Sequence, residues 1–189
     1  MNSSQERLRQ LADRTEIHEC LCRYARGVDR GDFELVRSTY HPDAYDDHFE
    51  YKGGVDGLID WLGVHMAGVD NSMHFLGNCL VEFAGEDDAF VETYFASRRL
   101  RAPTASERVH LEPQDAMCRQ SWGRYLDHFE RRGGEWRVVH RVVAMEATFA
   151  TVAKVGVRHS PSTWGRRDDS DLLYTLREAV FSKVGKSLA

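Results

Sequence analysis

The sequence predicts an α+β protein in which helices pack on one face of a strongly bent antiparallel sheet. Two observations predict this class. In the first third of the chain, apolar side chains recur mainly at the spacing of helices, and after about residue 70 they alternate at the two-residue spacing of strands. The later strands form a meander, with tight turns expected at 85–88 and 132–134. The predicted long strands are 72–83, 89–100, 115–131 and 135–149.

Composition and charge restrict the class of protein further. With 189 residues, of which 42% are hydrophobic and 11% aromatic, the chain is expected to form one domain with a real core. We assign residues 1–149 to the main unit and residues 150–189 to a C-terminal extension that carries a helix and serves as a lid or an oligomer arm. The net charge of −5, with arginines scattered between acids, argues against nucleic acid as a partner.

The sequence pattern does not indicate a membrane protein or a protein of an oxidising compartment. No apolar run has the length of a signal peptide or a membrane span, so a cytoplasmic protein without membrane contact is expected. The cysteines are Cys20, Cys22, Cys79 and Cys118, and they show neither a CxxC motif nor paired spacing with histidines. We therefore predict reduced, mostly buried thiols, with no zinc site and no disulfide.

An amphipathic helix over residues 17–29 places Asp29 at the edge of its own apolar face. Gly31 is expected to end this helix. An acid in that position is costly to ionise unless it has a partner, so Asp29 is expected to be paired or used in proton chemistry. The alternative role is to cap the next helix, 33–40, but Asp32 is better placed for that cap.

The other elements follow from local patterns. They are a polar helix at 3–13, a helix at 33–40, a turn at 41–44, a strand at 45–51, a helix at 55–68, a long connection at 101–114 and a final helix at 168–182. Asp47 and His48 should face opposite sides of the short strand, which Gly53 and Gly54 terminate. His110, in the long connection, is expected to be exposed.

His74 is the second candidate for proton chemistry. Alternation along its strand groups His74 with Leu76, Asn78 and Leu80 on one face, and a histidine and an asparagine are unusual on a face that is otherwise apolar. A neutral histidine can accept a proton, and an aspartate on its other ring nitrogen fixes the tautomer and stabilises the imidazolium. Such a base contributes roughly 10²–10⁴ in rate. The alternative is a structural histidine.

Three stretches resemble the SnoaL-like branch of the nuclear transport factor 2-like superfamily: Tyr24-Ala-Arg-Gly-Val-Asp29, Met73-His-Phe-Leu-Gly-Asn78 and the hairpin from Gly123 to Arg141. The resemblance covers about residues 10–146. It implies a cone-shaped α+β barrel whose N-terminal helices enclose a deep apolar pocket. In scytalone dehydratase and the lindane dehydrochlorinase, an aspartate at the end of the first long helix supports a histidine base, and these two positions fall on Asp29 and His74.

The resemblance also implies that Arg141 is a pocket group that holds a leaving oxygen or a developing anion. Alternation alone leaves open whether Arg141 or His140 faces the pocket, and Arg124 on the paired strand carries the same ambiguity. Other substrate contacts are expected from Tyr24, Tyr40, Tyr45, Asp47, His48 and Asn78. Tyr24 would reach the pocket only from its edge, and its alternative role is core packing. For Tyr40, Tyr45, Asp47 and His48 the alternative is an ordinary structural role in the strand. Trp61 and Trp122 are assigned to the core rather than to a ligand platform.

The predicted function is a cofactor-independent lyase. The sequence lacks a Gly-rich phosphate loop, a nucleophile elbow and an HExxH motif, so neither a cofactor nor a metal is expected. A base in an apolar pocket suits elimination or C–C cleavage on a small hydrophobic, aromatic hydroxylated compound. An isomerase is the nearest alternative, because one scaffold hosts many chemistries. A ligand carrier and an assembly module like the small subunits of ring-hydroxylating dioxygenases are the non-catalytic alternatives.

The sequence also predicts a homo-oligomer, as a trimer or a dimer. The final helix carries an apolar stripe formed by Leu172, Leu173, Leu176 and Val180, with Tyr174 and Phe181 beside it. A lone surface helix should not expose so much apolar surface. The outer sheet face is expected to be apolar as well, at Phe83, Phe95 and Val142 or Val143. The tail from Thr148 onward should close the pocket or cross to a neighbouring subunit.

Overall fold

The computed structural model describes residues 4–154 and 164–187. Its helices are α1 (Ser4–Arg30), α2 (Phe33–Arg37), α3 (Val55–His65) and α4 (Leu172–Ser187), with a 3-10 turn at Glu107–His110 that leaves His110 exposed as predicted. Its strands are β1 (Tyr40–His48), β2 (Tyr51–Gly54), β3 (Val69–Phe83), β4 (Asp88–Arg101), β5 (Asp115–Arg132) and β6 (Glu135–Lys154). The predicted α+β class is confirmed.

The strands form one curved sheet in the order β2-β1-β6-β5-β4-β3, and its edges do not close into a complete barrel. All neighbouring strands pair antiparallel except β1 and β6, which pair parallel. The prediction of a purely antiparallel sheet was therefore wrong at this one pair. A parallel pair needs a long crossover, and residues 49–134, which lie between β1 and β6, supply it.

Helix α1 covers the inner face of the sheet. The predicted polar segment and the predicted central helix form one continuous helix, which ends before Gly31 at a positive φ of 73°. Its buried side includes Ile17, Leu21 and Val28, and these side chains share one core with residues of β4, β5 and β6. Asp32 caps α2 as predicted, because its Oδ1 accepts a hydrogen bond from the backbone N–H of Leu35 at 3.0 Å.

The predicted turn at 41–44 is part of β1 instead. Tyr40 pairs with Val138, and Tyr45 pairs with His140, so four residues of β1 lie opposite one residue of β6. This irregular stretch leaves Pro42 outside the regular ladder, where its missing N–H is tolerated. The local sequence carries turn residues, but pairing with β6 decides the structure.

A bulge in β3 changes which side chains face inward. Leu76 pairs with Phe95 and Cys79 pairs with Thr93, so Gly77 and Asn78 together lie opposite a single residue. The extra residue reverses the alternation beyond this point, and glycine is a residue type that often marks such a bulge. The predicted grouping of Asn78 with His74 was therefore wrong, and Asn78 is exposed.

A second bulge, in β6, sets the direction of Arg141. His128 pairs with His140 and Phe129 pairs with Val138, which leaves Val139 as the extra residue. Arg141 consequently points inward and is fully buried, whereas His140 is exposed. The bulge therefore decides that Arg141, and not His140, faces inward.

The outer face of the sheet is apolar, but not through the predicted residues. Phe95 and Val143 belong to the buried core, and Phe83 packs against it. The exposed apolar side chains are instead Met73, Phe75, Leu80, Phe90, Tyr94, Trp122, Phe149 and Val152, with Phe75 the most exposed of them at 69%. The bulges in β3 and β6 reverse the facing of Phe83 and Val143, whereas Phe95 faces inward on β4, which carries no bulge against β5.

The described part of the tail returns to the end of α1. Arg167 donates to the backbone carbonyls of Val28 and Asp29 at 2.9 and 3.2 Å, and Arg30 pairs with Asp171 at 3.0 Å. Helix α4 starts four residues later than predicted, and its Leu176 and Phe181 are each 61% exposed. Residues 155–163 of the predicted lid lie outside the described residues. None of the described helices is long and apolar enough to cross a membrane.

Candidate active site

An apolar cavity of about 400 Å³ lies between the inner sheet face, α1 and α3. This volume is within the usual range for sites that bind small organic molecules. Its apolar wall includes Tyr24, Trp61, Leu62, Phe95, Tyr125 and Val143. Phe95 and Tyr125 stack with ring centroids 4.4 Å apart, so an aromatic surface forms one side of the cavity.

His74 lines this cavity, and Asp29 contacts His74. His74 Nδ1 lies 2.7 Å from Asp29 Oδ1, and the backbone N–H of His74 donates to Oδ2 at 2.7 Å. The Ser72 hydroxyl also donates to Oδ1 at 2.7 Å. The end of α1 and the start of β3 therefore bring together two residues that are 45 positions apart in the chain.

These contacts favour an ionised Asp29. Its side chain is buried, and burial alone raises the pKa of a carboxyl group. The hydrogen bonds and charge of His74, together with the Ser72 hydroxyl, outweigh that effect and lower the pKa of Asp29 below its usual value. The site thus holds a fixed carboxylate against one nitrogen of the imidazole ring.

This geometry orients His74 for proton transfer. With Asp29 accepting from Nδ1–H, the neutral imidazole carries its free lone pair on Nε2. His74 lines the cavity, and Nε2 has no hydrogen-bond partner among the residues that the structure describes. The pair can therefore accept a proton from a molecule in the cavity, and the carboxylate can stabilise the resulting imidazolium.

Two of the predicted substrate contacts also line the cavity. Tyr24 is buried in its wall, where its ring contacts the rings of Tyr40 and Tyr125 edge-on. His48 lies at another part of the wall, with Nδ1 3.2 Å from Asp46 Oδ1. Trp61, which the sequence assigned to the core, lines the cavity as well and stacks on His65 with centroids 4.4 Å apart.

Arg141 lies behind the cavity wall rather than in it, so its predicted contact with the substrate was wrong. Its guanidinium makes two hydrogen bonds to Asp127, at 2.7 and 2.6 Å, and one to the Tyr40 hydroxyl at 3.2 Å. The charge also lies 4.2 Å from the ring centroids of both Tyr24 and Tyr125. Burial alone would lower the pKa of Arg141, but the charge of Asp127 raises it well above its ordinary value.

The remaining predicted contacts lie away from the cavity. Tyr40 is buried beside Arg141 and donates to Asp46 at 2.7 Å. Arg124 projects to the outer face, where it pairs with Glu92 at 2.7 Å and Glu146 at 2.9 Å. Tyr45, Asp47 and Asn78 are also outside the cavity wall: Tyr45 packs on His140, Asp47 binds Lys52 and Asn78 follows the β3 bulge. Strand facing, which the bulges reset, separates these residues from the site.

Sequence reasoning missed two cationic residues of the cavity, Arg99 and Arg119. Phe95, Ser97 and Arg99 share the inner face of β4 at two-residue spacing. This alternation could have indicated that Arg99 faces the cavity. Arg98 and Arg101 flank Arg99 in the sequence, and the pattern does not by itself distinguish the inward arginine from its neighbours.

One group of described side chains has the composition of a metal site: Asp88, His128 and Glu130, whose donor atoms lie within 4.8 Å of one another. None of the three residues lines the cavity. His128 Nε2 is 2.8 Å from Asp88 Oδ1, which is an ordinary hydrogen bond, and Glu130 also pairs with Arg132. These contacts account for the cluster without a metal ion.

The curved sheet with helices over an apolar cavity is the architecture of the nuclear transport factor 2-like superfamily. Within that class, the chain belongs to the SnoaL-like domain family, whose model matches residues 9–142. The uncharacterized protein Rv2910c of Mycobacterium tuberculosis is 28% identical over 145 residues, which cover 70% of this chain and 85% of that protein.

Two solved structures illustrate the fold. A scytalone dehydratase-like protein from Novosphingobium aromaticivorans superposes with a TM-score of 0.62 at 16% identity, covering 79% of this chain and 92% of that one. A hexachlorocyclohexane dehydrochlorinase, LinA type 2, superposes with a TM-score of 0.61 at 19% identity, covering 82% and 97%. At these identities the likeness establishes the fold and no activity.

Proposed function

We propose that the protein is a cofactor-independent lyase that acts on a small hydrophobic, aromatic hydroxylated compound. The observation that carries this proposal is the contact of Asp29 with His74, which lines an apolar cavity. A histidine held by a buried carboxylate is a general base, and the aromatic wall suits a planar apolar substrate. The assignment of His74 as base and Asp29 as its positioning partner is part of the proposal.

The reaction needs only one base. His74 Nε2 takes a proton from an acidic C–H or O–H group, and the electrons of that bond form a new double bond as the β-leaving group departs with its own bonding pair. Asp29 stabilises the imidazolium, which returns the proton to the leaving group or to water. In C–C cleavage the same base removes a hydroxyl proton, and the electrons of that O–H bond form a C=O bond. The C–C bonding pair departs with the leaving carbon, which takes the proton back from the imidazolium.

The names of two structural relatives denote eliminations, of water by a dehydratase and of hydrogen chloride by a dehydrochlorinase. Loss of water or of hydrogen chloride includes the removal of a proton, which is the step proposed here for His74. These relatives therefore guide the choice of candidate substrates, while the argument for chemistry rests on the residues of this chain.

The test is a substrate panel. Aromatic compounds with a hydroxyl or halide β to an acidic C–H should be incubated with the protein and followed by mass spectrometry. We expect at least one compound to lose water or hydrogen halide, and His74→Ala should not accelerate that loss. A bound ligand that is recovered unchanged would favour a carrier, and rearrangement without loss of mass would favour an isomerase. Equal turnover by His74→Ala would contradict the assignment of the base.

We also propose that the protein forms a homo-oligomer in the cytoplasm. Its support is the set of large apolar side chains exposed on the outer sheet face and on α4, because contiguous apolar surface marks interaction sites. The absence of disulfides among the described residues fits a reducing compartment. Light scattering at micromolar concentration should give two or three times the chain mass of 21.7 kDa. The mass of one chain would contradict this proposal.

A further inference from the structure

Two arginines face the cavity from neighbouring strands. Arg99 on β4 and Arg119 on β5 are direct cross-strand partners, and both line the cavity. Like charges placed directly opposite each other destabilise a sheet. The chain has a net charge of −5, so two adjacent cations at the cavity have the sign opposite to that of the protein as a whole.

Both guanidinium groups have uncharged hydrogen-bond partners. In the described residues, Arg99 Nη1 donates to Met66 Sδ at 3.4 Å and Arg119 Nε donates to Thr148 Oγ1 at 3.3 Å, and neither arginine makes a salt bridge. Residues 1–3, 155–163 and 188–189 contain no aspartate or glutamate. Arg124 provides the contrast, because two glutamates pair with it on the outer face.

The acids at the cavity rim have other partners. Glu146 Oε1 accepts from Arg124 at 2.9 Å, and Glu50 Oε2 lies 3.9 Å from His65 Nδ1. Burial and the charges of Arg119 and Arg167 lower the pKa of Arg99. Burial and the charge of Arg99 likewise lower the pKa of His65. The charge of Glu50, an exposed carboxylate at the rim, acts on Arg99 in the opposite direction. Two arginine charges thus face this one carboxylate, which leaves an excess of positive charge on this side of the cavity for an anion.

Strand register relates this cationic site to His74. On β4, Ser97 pairs with His74, and Arg99 pairs with Ser72, which contacts Asp29. Ser97 and Arg99 both line the cavity. Two residues along a strand span about 7 Å, so an anionic group bound at Arg99 leaves the rest of a one- or two-ring molecule beside His74.

We propose that Arg99 and Arg119 bind a carboxylate of the substrate, which makes the substrate class small aromatic carboxylic acids. A guanidinium matches the two oxygens of a carboxylate through a planar fork of donors. The aromatic wall formed by Phe95 and Tyr125 then accepts the ring. The identification of the bound acid as a substrate rests on the proposed function, but the anion site itself does not.

The test compares two ligands of nearly equal shape. The full chain should be titrated calorimetrically with 2-naphthoate and with neutral 2-naphthamide. We expect naphthoate to bind at least about tenfold more tightly, because hydrogen bonds to a charged group are stronger than neutral ones. Arg99→Gln should abolish most of that preference, Arg119→Gln should reduce it and Arg99→Lys should keep part of it.

Arg98→Gln is the matched control, because Arg98 is the preceding residue of β4 and its side chain is exposed and bonded to Asn71. This variant should retain the full preference for naphthoate, and circular dichroism should establish that every variant is folded. Equal affinity for the two ligands, no detectable binding of either, or an unchanged preference in Arg99→Gln would overturn the proposal.

The same titration separates this proposal from the proposed lyase activity. His74→Ala leaves the two arginines in place, so it should keep the preference for naphthoate even though it removes the proposed base. If the wild-type preference is present while no elimination is found, the anion site stands and the lyase assignment fails. If elimination is found without any preference for the anion, the lyase assignment stands and the anion site fails.

Discussion

Asp29→Asn is expected to lower kcat by about 10²–10⁴ on an elimination substrate, and His74→Ala should lower it by a similar factor. The asparagine has nearly the same shape, but its amide removes the negative charge that stabilises the imidazolium. It can also present an N–H to Nδ1, which would favour the tautomer that cannot accept a proton at Nε2. Because the two residues act as one unit, the double variant should be little slower than either single variant.

Asp32→Asn is the matched control for this experiment. It makes the same change, from a carboxylate to an amide, three residues further along the chain. Asparagine caps a helix about as well as aspartate does. This variant should keep wild-type kcat. Steady-state kinetics with substrate identified from the panel gives the measurement, with thermal denaturation to establish folding. Wild-type kcat in folded Asp29→Asn would contradict the role given to the carboxylate.

Arg141→Met is expected to lower the free energy of unfolding by about 3–5 kcal/mol, because it leaves the carboxylate of Asp127 buried without its cationic partner. Asp127 and Arg141 are both fully buried, and two hydrogen bonds of 2.7 and 2.6 Å join them. The variant also removes the cation that contacts the rings of Tyr24 and Tyr125. Urea denaturation followed by circular dichroism measures the change.

Two further variants isolate the cause. Asp127→Leu combined with Arg141→Met removes both charges, so much of the lost stability should return. Arg124→Met changes the same residue type on the outer face, where its side chain is partly exposed and water screens its salt bridges, so the loss of stability should be much smaller. Similar losses in Arg124→Met and Arg141→Met would contradict the importance of the buried pair.

The sequence by itself predicted most of the elements and one candidate site. The apolar stripe of α1, the cap at Asp32 and the hairpin between β5 and β6 depend on neighbouring residues, so local patterns were sufficient to predict them. The pairing of Asp29 with His74 came from the resemblance of short motifs, because spacing within one chain does not specify contacts over 45 residues. The structure places these two side chains 2.7 Å apart, while their catalytic roles stay a prediction.

Only the tertiary structure decided which side chains reach the cavity. The bulges at Gly77 and Val139 each insert one residue into a strand, and an inserted residue reverses the facing of everything beyond it without leaving a clear mark in the alternation. They turn Asn78 outward and Arg141 into the core. Arg99 and Arg119 became neighbours through pairing of β4 with β5, because strand register is set by packing across the whole sheet.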